Sequence, residues 1–201
     1  MALDEDIVVD FEGFGYEAGG FDFSDPGDEL HLITRITNIV APQPDFPYDP
    51  ITYEYTLVVT GLISNGEMVD GSMSTIVYNL GTLAIYEDSS FNSSWDEYPE
   101  IGNPPSSFFD GTLYLYGDFT DFTMVLFRDL GIGSFEGHVS LTGGSAMDWF
   151  SAEGYTFGGT LIPPHNPGIP DGYHLSLDGE LWVEEPVATH ESTWSSFKAL
   201  Y

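Results

Sequence analysis

The stretch ITYEYTLVVTG, residues Ile51–Gly61, alternates between apolar and polar side chains at most positions. Its apolar positions are Tyr53, Tyr55, Leu57 and Val59, and polar residues occupy most positions between them. Successive side chains of a β-strand point to opposite faces, so a period of two places one kind on each face. The stretch therefore predicts a half-buried strand.

The same alternation recurs along the chain, in SFEGHVSLTGG (Ser134–Gly144) and GYHLSLDGELWVEE (Gly172–Glu185). Further strands are predicted at Ile7–Phe11, Leu30–Ile39, Ser74–Tyr78, Thr82–Tyr86, Thr112–Tyr116, Phe122–Phe127 and Tyr155–Ile162. Glycine- and proline-containing turns separate many of these segments. About ten short strands with one apolar face each predict an all-β fold, an antiparallel β-sandwich or jelly roll over residues 1–187.

Two segments resemble each other closely: GTLAIYED (Gly81–Asp88) and GTLYLYGD (Gly111–Asp118). Two copies are too few for a repeat array, which needs at least three similar units. We therefore interpret them as neighbouring strands with the same packing requirement, and expect them to pair with each other.

The last residues, 188–201, differ in character from the strands. Trp194, Phe197 and Leu200 are spaced as on a helix and follow the N-cap candidates Ser192 and Thr193, which predicts a short helix or a recognition tail. The ending Trp194–Tyr201 resembles the short C-terminal endings of uncharacterised secreted bacterial β-sandwich proteins. That resemblance implies export and no particular activity.

Charge is the most unusual property of the composition. The 33 acidic residues outnumber three basic ones, Arg35, Arg128 and Lys198, so the formal net charge is −30. Such a surface repels phosphates, which argues against nucleic acid and anionic membranes as partners. Cations, neutral glycans, basic proteins and other copies of the chain remain, and adaptation to a saline habitat is an alternative reason for the acidity.

The location of the protein is predicted from composition. There is no basic and apolar leader, no apolar run of transmembrane length and no cysteine. The abundance of glycine, serine, threonine and tyrosine with one lysine favours an extracellular or cell-surface protein without membrane insertion.

Calcium is the expected cofactor, because it takes six to eight oxygen ligands that loops between strands can supply. The candidate ligands are Asp88, Asn92 and Asp96 in YEDSSFNSSWDEYPE (Tyr86–Glu100), Asp22, Asp25 and Asp28 in one turn, and Asp10 with Glu12 on one strand face. An EF-hand is excluded, since Ser93 and Pro99 stand where that loop needs glycine and glutamate. The alternative is a solvated acidic connector.

Aromatic residues suggest a binding function. Tyr86, Tyr114, Tyr116 and Trp182 have the outward parity of their strands, and Trp95 lies in the loop that starts at Tyr86. Exposed rings can stack on sugars or form the centre of a protein interface. If a second layer covers that face, the same rings are core.

Catalytic patterns are weak. No serine or cysteine has a nucleophile motif, and the five histidines lack the spacing of a zinc site. Glycoside hydrolysis needs two carboxylates, and the candidates are Asp178, Glu180 and Glu184 beside Trp182, with Glu136 across from them. In a chain this acidic they are also ordinary surface residues.

The sequence therefore favours a non-catalytic secreted or cell-surface protein. We expect a self-associating structural subunit of an extracellular matrix, sheath or filament, stabilised by calcium. A carbohydrate-binding module that uses the exposed rings is the first alternative. A glycoside hydrolase with a carboxylate pair is the second.

Overall fold

The computed structural model describes residues 8–41, 44–96, 99, 104–150, 154–162 and 168–183. The strands are β1 (Val8–Ala18), β2 (Glu29–Val40), β3 (Glu54–Asp70), β4 (Met73–Asn79), β5 (Thr82–Asp88), β6 (Thr112–Phe127), β7 (Ile132–Gly143), β8 (Tyr155–Ile162) and β9 (Leu175–Val183). Single-turn 3-10 helices in these described ranges lie at Ser106–Phe108, Arg128–Leu130 and Met147–Trp149. The predicted C-terminal helix and the boundary at residue 187 lie outside the described residues.

Within the described residues, all nine strands belong to one antiparallel sheet, in the order β2-β1-β9-β8-β7-β6-β4-β3-β5. β2 pairs with β3 as well as with β1, so the strand pairings form a closed ring. β4 and β5 lie end to end between the long strands β3 and β6, and each pairs with part of both. The all-β prediction is confirmed, but the structure has one sheet where the sequence predicted the two layers of a sandwich.

The core lies on the inner face of this closed sheet. Tyr55, Leu57 and Val59, the alternating residues of β3, are 3%, 0% and 0% exposed, as their pattern predicts. Every strand contributes buried apolar residues to the same cluster. A closed sheet and a sandwich both require one apolar face per strand. The alternation could not distinguish the two architectures for that reason.

β6 joins two segments that the sequence predicted as separate strands. Thr112–Tyr116 and Phe122–Phe127 form one strand of 16 residues. The register between β6 and β7 shifts at Tyr116/Gly117 and again at Phe119/Asp121. Such bulges absorb extra residues and bend a strand without ending it.

The expected pairing of the two GTL segments is confirmed: β5 and β6 pair from Thr82 with Asp118 to Glu87 with Thr112. Between Ile85, which faces Leu115, and Tyr86, which faces Leu113, the register skips Tyr114. This irregularity reverses the parity that the sequence alone assigned to Tyr114.

A second, smaller cluster covers part of the outer face. It is formed by Tyr16, Ile33, Val58, Phe108 and Tyr173, with Phe14, Trp95 and Ile169 packed against it. Residues 93–95 and 107–108 after β5 and residues 169–173 before β9 thus lie over the outside of β1, β2 and β3. Among the described residues there is no helix with the length and apolar character needed to span a membrane.

Candidate ligand-binding site

Ser93 fixes the loop after β5 to the outside of the sheet. Its hydroxyl accepts a hydrogen bond from Nε of Arg35 at 2.8 Å, and its carbonyl oxygen accepts one from Nη2 at 2.5 Å. Ser93 also donates its N–H and its hydroxyl to the carboxylate of Glu54, at 2.9 and 2.6 Å. The loop therefore has a charged anchor on β2 and another on β3.

Trp95 follows this anchor and packs against the sheet. Its ring meets Phe14 edge-on, with centroids 4.8 Å apart and planes at 87°, and lies 4.5 Å from the ring of Phe108. The guanidinium carbon of Arg35 lies 5.2 Å from the Trp95 ring centroid, within the range of a cation–π interaction. Trp95 stays partly exposed and forms an aromatic wall on the outer face.

An open cleft of about 490 Å³ lies beside this wall. Of the described residues, its lining comprises Glu12, Gly13, Phe14, Arg35, Trp95, Gly168, Pro170, Ser176 and Leu177. The volume is within the range of small-molecule sites, which combine apolar walls with a few polar groups.

The polar groups of the cleft are Arg35, Glu12 and Ser176. Arg35 and Glu12 face each other in register across β2 and β1, yet the described residues form no ion pair between them within 4.0 Å. Ser93 and Trp95 hold the guanidinium instead. A positive donor and a carboxylate acceptor thus border the same concave space without neutralising each other.

A shallower groove of about 280 Å³ lies next to the cleft, over β8 and β9. Its described lining is Gly158, Gly159, Thr160, Asp178, Gly179, Glu180 and Trp182. In the register Glu12 faces Asp178 and Asp10 faces Glu180, so the cleft and the groove share a border. Asp178 and Glu180 are exposed, as their outward parity predicts, while Glu184 lies outside the described residues.

The calcium candidates of the loop after β5 have separate protein partners. Asp88 accepts a hydrogen bond from the N–H of Ser90 at 3.0 Å, and the Asn92 amide donates to Asp110 at 3.0 Å. The N–H of Asp96 donates to the hydroxyl of Ser94 at 3.2 Å.

The other calcium candidates also have protein partners or lie at the surface. In the turn before β2 the carboxylate of Asp28 accepts from the N–H of Asp25 at 2.9 Å, and Asp22 is exposed. Asp10 accepts from the amide of Asn38 at 3.2 Å, and Glu12 borders the cleft. Within the described part of the chain, no three acidic or histidine side chains form a group that could hold a metal ion.

The five predicted rings do not form one surface. Trp95 lies over β1 and β2, Trp182 on β9, and Tyr86 and Tyr116 on β5 and β6, where they are partly exposed. The prediction that Tyr114 is exposed is wrong, because its side chain is 1% exposed. The Tyr114 ring contacts Tyr55 edge-on, and its hydroxyl donates a hydrogen bond to the Pro47 carbonyl. The register irregularity between β5 and β6 turns it into the core.

Arg35, Phe14 and Ser176 were not among the sequence-based candidates. One signal could have indicated Arg35, since an arginine inside a strand is rare in a chain with only three basic residues. Phe14 and Ser176 follow the ordinary alternation of their strands and carry no signal of their own. Their role depends on the loop that covers β1 and β2.

The fold and the site together define an all-β protein with one closed antiparallel sheet and a polar, aromatic-walled cleft on its outer face. No family model, curated protein or solved structure matches this chain.

Proposed function

We propose that this chain is a non-catalytic carbohydrate-binding protein that holds a sugar unit in the cleft beside Trp95. A sugar ring has an apolar face that stacks on an aromatic ring and hydroxyls that donate and accept hydrogen bonds. The cleft offers the matching groups, with Trp95 and Phe14 as its aromatic wall and the Arg35, Glu12 and Ser176 side chains as its polar border.

The observation that carries the proposal is the separation of Arg35 from Glu12. If Arg35 and Glu12 formed an ion pair, each would satisfy the charge of the other, and neither would be available to a ligand. Ser93 instead accepts hydrogen bonds from two nitrogens of the Arg35 guanidinium. The third nitrogen, Nη1 of Arg35, has no hydrogen bond to a described residue. Preorganised polar groups of this kind lose little entropy when a ligand binds.

The net charge of −30 selects against acidic polymers, because the field of the whole protein repels them. We therefore propose a neutral glycan as the ligand. An extracellular or cell-surface location, where such polymers occur, remains part of the proposal.

Binding is tested by isothermal titration calorimetry and by Trp fluorescence with a panel of neutral monosaccharides and oligosaccharides. Glu12→Gln is expected to weaken binding about tenfold or more, because a hydrogen bond to a charged acceptor contributes about 1.5–3 kcal/mol. Asp118→Asn removes an exposed carboxylate from β6, away from the cleft, and should leave affinity unchanged. Failure of every glycan to bind, or equal effects of both substitutions, would contradict the proposal.

Hydrolysis fits the groove less well than binding does. A glycosidase needs one carboxyl group that stays protonated near neutral pH, usually because it is buried. Asp178 and Glu180 are both exposed on the outer face. We therefore assign them a binding role.

Self-association, the function that the sequence favoured, would need a surface other than free strand edges. In the part of the chain that the structure describes, each of the nine strands pairs with neighbours on both sides within the closed ring. Association through flat, unpaired edges requires backbone groups without partners. Size-exclusion chromatography with and without calcium tests the alternative, since a structural subunit elutes as an oligomer or polymer.

A further inference from the structure

We propose that the glycan is a linear chain and that the groove beside Trp182 binds a second unit of the chain whose first unit occupies the cleft. This inference rests on the proposed function and extends it. It assigns the class of ligand, a neutral linear polysaccharide, and a second subsite with Trp182 as its aromatic platform.

The Trp182 ring lies on the outer face, against the backbone of β8. A Cβ atom placed on Gly158 would lie only 3.0 Å from Cη2 of Trp182 and 3.5 Å from Cζ3. The indole therefore lies against the backbone of β8, in space that exists because residue 158 has no side chain. Trp182 is partly exposed there, so its remaining surface is available to a sugar ring.

The cleft and the groove are continuous across the outer face of the sheet. Glu12 of the cleft faces Asp178 of the groove, and Asp178 faces Thr160 on the next strand. Neighbouring strands are about 4.8 Å apart, and Trp182 lies four residues beyond Asp178, or about 13 Å along β9. A chain of several sugar units spans that distance across the outer face, whereas a monosaccharide does not.

The surface between Trp95 and Trp182 carries exposed polar side chains. Asp178 and Glu180 supply exposed carboxylate acceptors, and Thr160 supplies an exposed hydroxyl. Carboxylates accept hydrogen bonds from sugar hydroxyls and repel an acidic sugar. The surface therefore suits a neutral, hydroxyl-rich chain.

Two linked subsites predict a dependence of affinity on chain length. Once the first unit is bound, binding of a distant unit becomes intramolecular, and affinity rises without any new kind of contact. Affinity should increase at least tenfold as the ligand becomes long enough to reach Trp182, and should then level off.

The experiment measures affinity by calorimetry for glucose, mannose and their linear oligomers up to about six units. The wild type and Tyr116→Ala, a control for loss of a partly exposed ring elsewhere, should gain affinity with length. Trp182→Ala should bind the shortest active ligand as the wild type does and lose the gain. Trp182→Phe, which keeps a ring, should recover part of it.

Equal affinity for short and long ligands in the wild type would overturn the second subsite and leave the proposed function intact. The same holds if Trp182→Ala keeps the full gain with length. If no sugar of any length binds, the proposed function itself fails. Circular dichroism confirms that each variant is folded before its affinity is compared.

Discussion

Arg35 and Ser93 are joined by two hydrogen bonds, of 2.8 Å to the serine hydroxyl and 2.5 Å to its carbonyl oxygen. They connect a strand to a loop 58 residues further along the chain. Glu54 completes the arrangement by accepting both donors of Ser93. The position of Trp95, and with it the wall of the cleft, depends on this three-residue network.

Ser93→Ala should destabilise the protein by about 1–3 kcal/mol, because it removes the part-buried hydroxyl that accepts a hydrogen bond from Nε of Arg35 and donates one to Glu54. The two hydrogen bonds of the residue 93 backbone remain. Urea denaturation, monitored by Trp fluorescence, measures the loss of unfolding free energy. Ser90→Ala, at an exposed serine of the same loop, is the matched control and should stay within about 0.5 kcal/mol of the wild type. Similar losses for both variants would mean that the network does not hold the loop.

Calcium should raise the melting temperature no more than magnesium does at equal concentration. Both ions screen the repulsion of a chain with net charge −30, and the described residues include no group of three acidic or histidine side chains suited to a metal. The measurement is a thermal melt after EDTA treatment and readdition of each ion. A saturable shift specific to calcium and absent in Asp88→Asn would instead support the site predicted from Asp88, Asn92 and Asp96.

Glu17 is a buried carboxyl group on β1, 1% exposed. Its Oε1 accepts hydrogen bonds from the hydroxyls of Ser24 at 2.6 Å and Tyr78 at 3.2 Å, and its Oε2 has no partner among the described residues. Burial raises the pKa of Glu17 to about 7, and the nearby carboxylates of Asp28 and Glu67 add to the increase, while the two hydroxyls oppose it.

Stability should therefore fall as the pH rises from about 4.5 to about 7, the ordinary and the folded pKa of Glu17. The folded state keeps its proton over this interval and the unfolded state releases it, so the stabilisation present below pH 4.5 is lost above pH 7. The size of the loss is roughly 3 kcal/mol, an upper estimate from the difference between the two pKa values.

Glu17→Gln should abolish the loss of stability between about pH 4.5 and 7. The variant should be as stable as the wild type near pH 4 and more stable than the wild type near pH 8. Denaturant unfolding across that pH range is the measurement. Glu12→Gln, which removes an exposed carboxylate, should keep the wild-type profile. An unchanged profile in Glu17→Gln would show that Glu17 does not titrate in this range.

Tyr114 and Tyr116 provide a direct test of the register between β5 and β6. Tyr114→Ala should cost about 3–5 kcal/mol, since it removes a fully buried ring from the core. Tyr116→Ala should cost clearly less, because Tyr116 is only partly buried. Equal costs in chemical denaturation would contradict the placement of Tyr114 in the core.

Much of the local structure was predictable from the sequence. The alternation of Tyr55, Leu57 and Val59 identified the buried face of β3, and the two GTL segments identified the pairing of β5 with β6. Both features depend on residues close together in the chain, where the period of two decides which side chains share a face. Tyr114 was misplaced because a bulge changes that parity and leaves no mark in the alternation.

The sequence by itself determined an acidic, all-β protein with one apolar face per strand. Tertiary structure alone decided that the strands close into one sheet, since β1 pairs with β9, more than 150 residues away, and β2 with β3. It also decided the site: Glu12, Arg35, Trp95 and Ser176 come from four distant segments. Alternation is a local property that any arrangement with one buried face satisfies, whereas closure and the cleft depend on which distant strands pair and where one loop is anchored.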